Sequence, residues 1–330
     1  MNEQVKLLIV GSGPAGLSAA IQAARDGLDH LVLGRQPHGG LIHSARFIEN
    51  LPGFPHGISG SRLAAIILAH ALKLGVRLEA AEVRLCRRVG EDGYVAELED
   101  GGQVHSRALI AATGTVPEDF DCRWSDGVHD SQRLHREART LPLDLTGKVV
   151  TVVGGGEAAL DTALSVADRG GTPRLVIRSE AFRARGRLVE AVQASCIEVL
   201  WKRTVRGLGP GDGMVIVCIE DEQGDFTRLH SHHVVICVGR KPCTEVLEGL
   251  PPVGPADEVA THLPGLYLAG DLIRGRDRFV ATALGDGQRA ARLAGKFLNE
   301  RESAPPLKLR RNIHGHYRRQ EIIHSGHGGH

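Results

Sequence analysis

The chain has 330 residues, enough for two domains of ordinary size, and its 42% hydrophobic and 24% charged residues are typical of globular proteins. A formal net charge of +1 argues against nucleic acid and anionic membranes as partners, and an aromatic content of 4% argues against base stacking. The sequence contains no apolar stretch of about 20 residues and no basic region before its first apolar run, so we expect no transmembrane helix, no signal peptide and a cytoplasmic protein.

The first 34 residues predict a strand, a glycine-rich turn, a helix and a second strand. Val5–Val10 has the length of a buried strand, an Ala-rich helical segment extends to about Asp26, and His30–Leu33 is the next strand. The turn between them, residues 11–16, has the spacing Gly-x-Gly-x-x-Gly, in which the glycines allow a tight turn, the approach of a pyrophosphate and close packing of helix on strand. This unit predicts a dinucleotide site.

The same pattern returns 143 residues later. Val149–Val153 is a β-branched strand, residues 154–159 form the turn Gly-x-Gly-x-x-Ala, a helix is predicted over Leu160–Arg169, and Leu175–Ile177 is the following strand. Two such units in one chain predict two nucleotide sites or a duplicated fold.

The residues after the second strand of each unit bear on ribose recognition. In the first unit this region is Leu33–Gln36 and lacks the usual acid, so recognition of the ribose must differ there. In the second unit, Arg178 and Arg183 suit a 2′-phosphate, whereas Glu180 could accept from a free 2′-hydroxyl. The pattern favours NADPH, with NADH as the alternative and a solvated basic turn as the third possibility.

The remaining segments predict short strands and one long helix. We expect each nucleotide-binding domain to carry an inserted small sheet, and the chain to end its globular part with a helix after a Gly-Asp motif. The predicted strands are Leu78–Val83, Tyr94–Leu98, Leu109–Ala112, Met214–Glu220, His233–Val238 and Leu266–Leu268, and the helix is Thr282–Phe297.

Taken in order, several motifs resemble those of the thioredoxin-reductase-like branch of the pyridine nucleotide–disulfide oxidoreductases, over about residues 4–298. They comprise an FAD turn, a flavin-contacting segment in two parts, a domain-crossover motif, a nicotinamide-side turn and a second FAD motif. In that order they are Gly11–Gly16, Gly39–Leu41 with Ile48–Pro55, Ala112–Gly114, Val238–Pro242 and Gly265–Asp271.

The resemblance implies an α/β protein with two Rossmann-like, three-layer dinucleotide-binding domains and a homodimeric assembly. The FAD domain, residues 1–115 and 241–300, would be interrupted by an NAD(P)H domain, residues 116–240, and followed by a basic, His-rich extension, residues 301–330. The implied FAD residues are Gly11, Gly13, Pro14, Ala15, Gly16, Gly40, Leu41, Asn50, Val83, Ala112, Thr113, Gly114, Gly270, Asp271, Val280 and Ala281. The implied NADP residues are Gly154, Gly156, Glu157, Ala158, Arg178, Arg183 and Gly239.

Three of these roles are specific. Asp271 would bond the FAD ribitol, the backbone amides of Val280 and Ala281 would face the flavin pyrimidine, and Asn50 would lie beside the flavin. The alternative for Asp271 is an ordinary cap of the helix that begins near Thr282.

The sequence departs from thioredoxin reductases where their redox Cys-x-x-Cys would lie. Ser131 and Leu134 occupy those two positions, and the six cysteines, at 86, 122, 196, 218, 237 and 243, form no Cys-x-x-Cys, so a dithiol relay through this segment is impossible. Structural thiols in a reducing compartment are the simpler interpretation of the cysteines, and a hidden pair among Cys122, Cys237 and Cys243 is the alternative.

Two further departures concern the flavin and the nucleotide. Arg278-Phe279-Val280 occupies the place of the family's Arg-Gln-Ala, and Ile177-Arg178-Ser179 the place of its His-Arg-Arg. The cysteine-free relatives include thioredoxin-reductase-type ferredoxin–NADP reductases, whose C-terminal extension covers the flavin. Here the extension is a solvated tail, a cover that places Tyr317 or His314 on the flavin, or a metal-binding tail, although it shows no fixed ligand spacing and we assign no metal site.

These observations predict an FAD-dependent NAD(P)H:acceptor oxidoreductase. Hydride passes from nicotinamide C4 to flavin N5, so no catalytic side chain need act as acid or base, and the flavin then reduces an unknown small redox protein or small molecule. The alternatives are a ferredoxin or flavodoxin reductase, a disulfide reductase with non-standard cysteines, and a non-catalytic dinucleotide-binding sensor.

Overall fold

A computed structural model describes residues 2–91, 93–124, 132–250 and 258–303. The strands are β1 Asn2–Val10, β2 His30–Gly34, β3 Leu78–Ala80, β4 Val83–Val89, β5 Gly93–Leu98, β6 Gln103–Ala111, β7 Thr115–Pro117, β8 Arg123–Trp124, β9 Leu134–His135, β10 Val149–Val153, β11 Thr172–Ile177, β12 Glu198–Trp201, β13 Thr204–Gly211, β14 Met214–Glu220, β15 Phe226–Ser231, β16 His233–Ile236, β17 Arg240–Pro242 and β18 Leu266–Leu268. The α-helices are α1 Pro14–Arg25, α2 Gly60–Lys73, α3 Glu157–Asp168, α4 Arg187–Gln193 and α5 Val280–Ser303, and short 3-10 helices span Gly40–Ser44, Ala138–Thr140, Glu245–Leu247 and Gly270–Leu272.

The first sheet has seven strands in the order β3-β2-β1-β6-β5-β4, with β18 also paired to β6. Its parallel centre is built from apolar runs, as expected of strands that are covered on both faces, and Leu7, Leu8 and Ile9 of β1 are completely buried. We call this sheet with α1, α2 and α5 the outer unit.

The predicted strand Leu78–Val83 is wrong in one respect. It is two strands, because β3 pairs in parallel with β2 whereas β4 begins a new antiparallel pair with β5 at Val83. Since β5 pairs with β6, these antiparallel strands extend the main sheet of the outer unit, and the separate small sheet that we expected in this unit is not formed by the described residues.

The inserted unit lies between β7 and β17 in the chain. It has a five-stranded parallel sheet in the order β12-β11-β10-β16-β9, on which α3 packs through the buried residues Leu160 and Ala163. A separate small sheet is formed in this unit as predicted, with the order β15-β14-β13-β8, but of the two strands predicted for it only Met214–Glu220 belongs to it, because β16 joins the parallel sheet. The chain therefore has the predicted α/β class with two Rossmann-like units.

The two units are joined by a narrow antiparallel ribbon formed by β7 and β17. Beside it, the Thr113 hydroxyl donates to the Cys243 carbonyl at 2.7 Å, and the Cys243 amide donates to the Gly114 carbonyl at 3.0 Å. The chain thus leaves and re-enters the outer unit at adjacent points, and the expected domain boundaries at 115/116 and 240/241 fall at this ribbon.

The helices differ from the predictions in their boundaries and in their number. Helix α3 begins at Glu157, three residues earlier than expected, and α5 continues past Phe297 to Ser303, so it includes the first residues of the predicted extension. Helix α2, with a Ser59 cap, was not predicted. Residues 304–330, with Tyr317 and His314, and residue Ser131 lie outside the described residues.

Helices α1 and α5 of the outer unit approach each other so closely that glycine is required at their contact. A Cβ atom added at Gly287 of α5 would lie 2.0 Å from the Ala15 carbonyl oxygen of α1, and one added at Gly270 would lie 2.8 Å from the Ala15 Cβ.

Within the described residues, no helix is long and apolar enough to cross a membrane.

Two glycines of α5 provide a matched test of this packing. Gly287→Ala would push a methyl group into the α1 backbone and is expected to lower the free energy of unfolding by about 2–3 kcal/mol, the upper range for overpacking. Gly285→Ala, two residues away with no atom within 4 Å of the added Cβ, is expected to raise it by up to about 1 kcal/mol through helix propensity. Thermal unfolding of both variants measures this, and equal effects would contradict the packing argument.

Candidate cofactor sites

The first glycine-rich turn joins β1 to α1. Gly11 has a φ of +111°, and an added Cβ would lie 2.1 Å from the Ala112 carbonyl oxygen, while one on Gly16 would lie 1.8 Å from the Gly11 carbonyl oxygen. Gly13 differs, because a Cβ there would meet nothing within 4 Å. Two glycines therefore serve close packing, and the third borders open space.

Gly13 is also the N-cap of α1, and Pro14 follows at the first helical position. No side chain caps this terminus, and the first turn contains no acidic residue. The unpaired amides and the partial positive charge of the helix are therefore available to an anion, as the binding of a pyrophosphate requires.

A second segment of the outer unit closes over this turn. The Gly39 amide donates to the Ser12 carbonyl at 2.8 Å, and a Cβ on Gly40 would lie 3.1 Å from the Gly13 Cα. The 3-10 helix Gly40–Ser44 continues from there, with Leu41 half-buried, and ends at Ser44, whose buried hydroxyl oxygen has no hydrogen-bond partner among the described residues.

The Gly270-Asp271 motif lies against the first glycine-rich turn, because Gly270 packs on Ala15 at the start of α1. Asp271 lies in the 3-10 helix Gly270–Leu272, nine residues before α5 begins at Val280, so it does not cap that helix. Buried Asp286 fixes the motif, because its carboxylate accepts from the Gly270 amide at 3.2 Å and from Arg274 Nε at 2.8 Å. Sequence reasoning missed Asp286 and Arg274, since no motif contains them.

Two guanidinium groups lie near Asp271. Burial raises the pKa of Asp271, and the charges of Arg278 and Arg240 oppose this. Burial lowers the pKa of Arg240, which the Glu137 carboxylate at 3.2 Å partly offsets. Arg278 donates through Nη1 to the Arg240 carbonyl at 3.0 Å, and its buried Nε has no partner among the described residues. Two guanidinium groups and two carboxylates, Asp271 and Glu137, therefore lie together in this half-buried region.

The second glycine-rich turn joins β10 to α3 and has the same division of roles. Gly154 has a φ of +136°, and its added Cβ would lie 2.3 Å from the Cys237 carbonyl oxygen. Gly156, the N-cap of α3, borders open space and has no side-chain cap, and exposed Glu157 and Ala158 follow it. A Cβ on Gly155 would meet Ile177 of β11 at 2.9 Å, so the end of β11 lies against this turn.

The residues after β11 lie beside the second turn. The Arg183 amide donates to the Gly155 carbonyl at 2.7 Å, and Arg178 directly follows the strand. Neither guanidinium has a hydrogen bond or ion pair with another described residue, whereas the Glu180 carboxylate lies 3.5 Å from Lys202 Nζ.

The remaining predicted site residues are more dispersed. Val83 is the first residue of β4. Its neighbour Glu82 pairs at 3.4 Å with Arg35, which lies in the region after β2 that lacks the usual ribose-binding acid. Asn50 is exposed in a loop of the outer unit. Val280 and Ala281 form the start of α5, and Gly239 has a φ of +137° at the ribbon.

All six cysteines are free thiols. Burial raises the pKa of Cys86 to about 12 and the pKa values of Cys122 and Cys237 to about 11, so these thiols have little nucleophilic character at neutral pH. Leu134, one of the two residues at the expected redox positions, lies in β9, and no disulfide joins Cys122, Cys237 and Cys243.

The two units also contact each other through α3. The Arg46 amide of the outer unit donates to the Asp161 carboxylate at 2.7 Å, and the Phe47 amide bonds the same carboxylate. The Arg46 guanidinium bonds Asp168 through Nε and through Nη2, the latter at 3.3 Å. Burial raises the pKa of Asp161 to about 6 despite these donors. No sequence motif indicated this contact.

Comparison with known protein families identifies the family of this chain. Residues 5–287 match the family described as pyridine nucleotide-disulphide oxidoreductase. The chain belongs to this family. It is thus an oxidoreductase of the thioredoxin-reductase-like type, in a branch without the redox Cys-x-x-Cys, and the family uses FAD and NAD(P)H.

Three relatives illustrate the similarity. A Clostridium pasteurianum protein described as a 34.2 kDa protein in a rubredoxin operon is 29% identical over 90% of this chain and 98% of its own. Lactococcus lactis thioredoxin reductase in its FR conformation is 26% identical, with a TM-score of 0.81 over 90% of this chain and 99% of its own. Streptococcus pyogenes thioredoxin reductase, 27% identical over the same shares of both chains, has a TM-score of 0.57.

The contact at Asp161 predicts a pH-dependent stability. A carboxyl group whose pKa is raised to about 6 in the folded protein stabilises it fully below the ordinary value of 3.8, and this contribution is lost as pH rises through about 6. The loss is at most about 3 kcal/mol and is reduced by the solvent that reaches this half-buried group. Asp161→Asn, which keeps an oxygen acceptor, is expected to exceed the wild type in stability by about 1–3 kcal/mol at pH 7.5 and to match it at pH 4.

Thermal unfolding at several pH values measures this difference. The charged groups that act on the pKa of Asp161 are Arg46 and Asp168, and Asp168→Asn is the control, since it keeps the burial of Asp161, the largest cause of the raised pKa, and should keep the pH dependence. A difference between the Asp161→Asn variant and the wild type that does not change with pH would contradict the assignment.

Proposed function

We propose that the protein is an FAD-dependent NADPH:acceptor oxidoreductase that passes electrons from flavin to acceptor without a dithiol relay. The observation that carries the proposal is the pair of glycine-rich turns in one chain, each with its central glycine, Gly13 or Gly156, open to space at an uncapped helix N-terminus. The absence of a Cys-x-x-Cys from the sequence supports electron transfer without a dithiol relay.

The residues of the outer unit fit FAD. Gly13 and the first amides of α1 would hold the pyrophosphate, Asp271 would bond the ribitol, and the unpaired Ser44 hydroxyl and Arg278 Nε would meet polar atoms of the flavin. When bound, FAD supplies a two-electron carrier that nicotinamide can reduce. Arg278, whose buried Nε has no partner among the described residues, would favour the negative charge that the ring gains, because this region is poorly solvated.

The inserted unit fits NADPH better than NADH. Arg178 and Arg183 lie beside the second glycine turn with no protein partner among the described residues, so both are available to a 2′-phosphate. Glu180, the candidate acceptor for a free 2′-hydroxyl, is instead paired with Lys202. We therefore propose residues 116–240 as the NADPH domain and residues 1–115 with 241–300 as the FAD domain.

The acceptor is proposed to react at the flavin itself. Burial raises the pKa values of four of the cysteines, Cys86, Cys122, Cys237 and Cys243, and none of the six forms a disulfide. The acceptor is a small redox protein or a small molecule. Of these we favour a one-electron carrier protein, because the Clostridium relative is described as a protein in a rubredoxin operon. A homodimer in the cytoplasm remains our prediction.

The nucleotide proposal is tested by flavin reduction. Anaerobic NADPH is expected to bleach the bound flavin, and Arg178→Ala is expected to raise the half-saturating NADPH concentration about ten- to a hundred-fold, the cost of one charge-assisted phosphate contact, with little change for NADH. Arg206→Ala, which removes an ion pair with Glu220 in the small sheet, is the control. Equal effects of Arg178→Ala on both nucleotides would show that this arginine does not bind the 2′-phosphate.

The direct-transfer proposal is tested by removing every thiol. A variant with all six cysteines changed to Ser or Ala, once shown to fold and to bind FAD, is expected to oxidise NADPH with a one-electron acceptor within about twofold of the wild-type rate, since no thiol lies on the route. The wild type is expected to leave thioredoxin disulfide oxidised. Efficient thioredoxin reduction that disappears with one cysteine pair would restore a dithiol mechanism.

A further inference from the structure

The contact between the two units is made by one face of α3. Asp161 and Asp168 are seven residues apart, which places them two helical turns apart on the same side, about 10 Å along the axis. Both accept from Arg46, Asp161 through the backbone amide and Asp168 through the guanidinium. A neighbouring ion pair, Arg187 with Glu49 at 3.6 Å, also joins the two units.

Both partners of this contact lie close to a glycine-rich turn. Arg46 is two residues beyond the 3-10 helix Gly40–Ser44, whose first residue packs on Gly13. Asp161 is one helical turn beyond Glu157, the first residue of α3 after the second glycine turn. A shift of α3 along or away from Arg46 would therefore change the separation of the two proposed nucleotide sites.

The covalent connection leaves that separation to be set by other contacts. The ribbon of β7 and β17 has three residues in each strand, too few to orient two domain-sized units by itself.

We propose that Arg46 is a positioning residue, which together with Asp161 and Asp168 holds the inserted unit in the arrangement that brings the nicotinamide to the flavin. The inference rests on the proposed function, because it assigns a role in the transfer of hydride between the two sites. Arg46 touches neither reacting atom and acts through the placement of α3.

The strength of the contact suits this role. The Arg46 and Asp168 side chains are 36% and 54% exposed, so their ion pair adds little to folding stability. The ratio of two arrangements of the units nevertheless responds to free energies that are small beside the free energy of folding, because a tenfold change in that ratio corresponds to about 1.4 kcal/mol. The guanidinium bonds Asp168 with two of its nitrogens, which adds the directional constraint that positioning requires.

Charge reversal separates positioning from stability. Arg46→Asp, Asp168→Arg and the double variant are loaded with FAD, and Arg174→Glu is the matched control, since the Arg174 Nε bonds Glu198 at 2.5 Å within the inserted unit. Anaerobic stopped-flow gives the rate constant of flavin bleaching at saturating NADPH and the half-saturating NADPH concentration. Small-angle X-ray scattering of the same samples reports the arrangement of the two units.

Arg46→Asp is expected to lower the rate constant at least tenfold and to change the scattering profile, with FAD content retained and the half-saturating NADPH concentration within twofold of wild type. The double variant is expected to recover at least half of the loss on a logarithmic scale, and the Arg174→Glu control to behave as wild type. If Arg46→Asp fails to retain FAD, Arg46→Gln, which removes the charge without reversing it, replaces it.

The proposal is overturned if the flavin of the Arg46 variant is bleached by NADPH within twofold of the wild-type rate. It is also overturned if the scattering profile of that variant is unchanged and the double variant recovers none of the lost rate. A wild-type flavin that neither NADPH nor NADH bleaches would instead refute the proposed function. In that case the scattering profiles of Arg46→Asp and the double variant decide by themselves whether the contact sets the arrangement.

Discussion

Close approach of one backbone to another is the constraint on which the outer unit depends. The carbonyl groups of Gly11, Ala15 and Ala112 lie where the first carbon of a side chain would be on Gly16, Gly287 and Gly11 respectively. Strand β1, helix α1, the crossover segment and helix α5 can therefore meet at one point only because these positions carry no side chain. Gly13, in the same turn as Gly11 and Gly16, instead borders open space.

Charge is distributed differently around the two glycine turns. Beside the first, Arg240 and Arg278 form a half-buried group with two carboxylates, because Arg278 and Arg240 act on Asp271 and Arg240 is also paired with Glu137. Beside the second, Arg178 and Arg183 have no hydrogen bond or ion pair with any residue that the structure describes. The first arrangement suits a resident ring that changes its charge, and the second suits a phosphate that arrives and leaves, because a pre-formed ion pair there would have to break at every cycle.

Local requirements were predictable from the sequence, and long-range ones were not. The two glycine-rich turns follow from sterics within six residues, so their strands and helices were located to within a few residues. The merging of β4 and β5 with the main sheet depends on the pairing of β5 with β6 across a short turn, and alternation alone does not distinguish an extended sheet from a separate one. Asp286, bonded to Gly270, and Arg46, bonded to residues 115 and 122 positions away, belong to no local pattern.

The ribbon of β7 and β17 has an evolutionary consequence. Because the Gly114 carbonyl and the Cys243 amide are hydrogen-bonded at 3.0 Å, the inserted unit begins and ends at the same spot on the outer unit, as a loop does. A segment with adjacent ends can be exchanged for another of the same kind without disturbing the sheet that receives it. The nucleotide preference of such a flavoprotein can therefore change by replacement of one cassette, while the half of the chain that tunes the flavin is inherited intact.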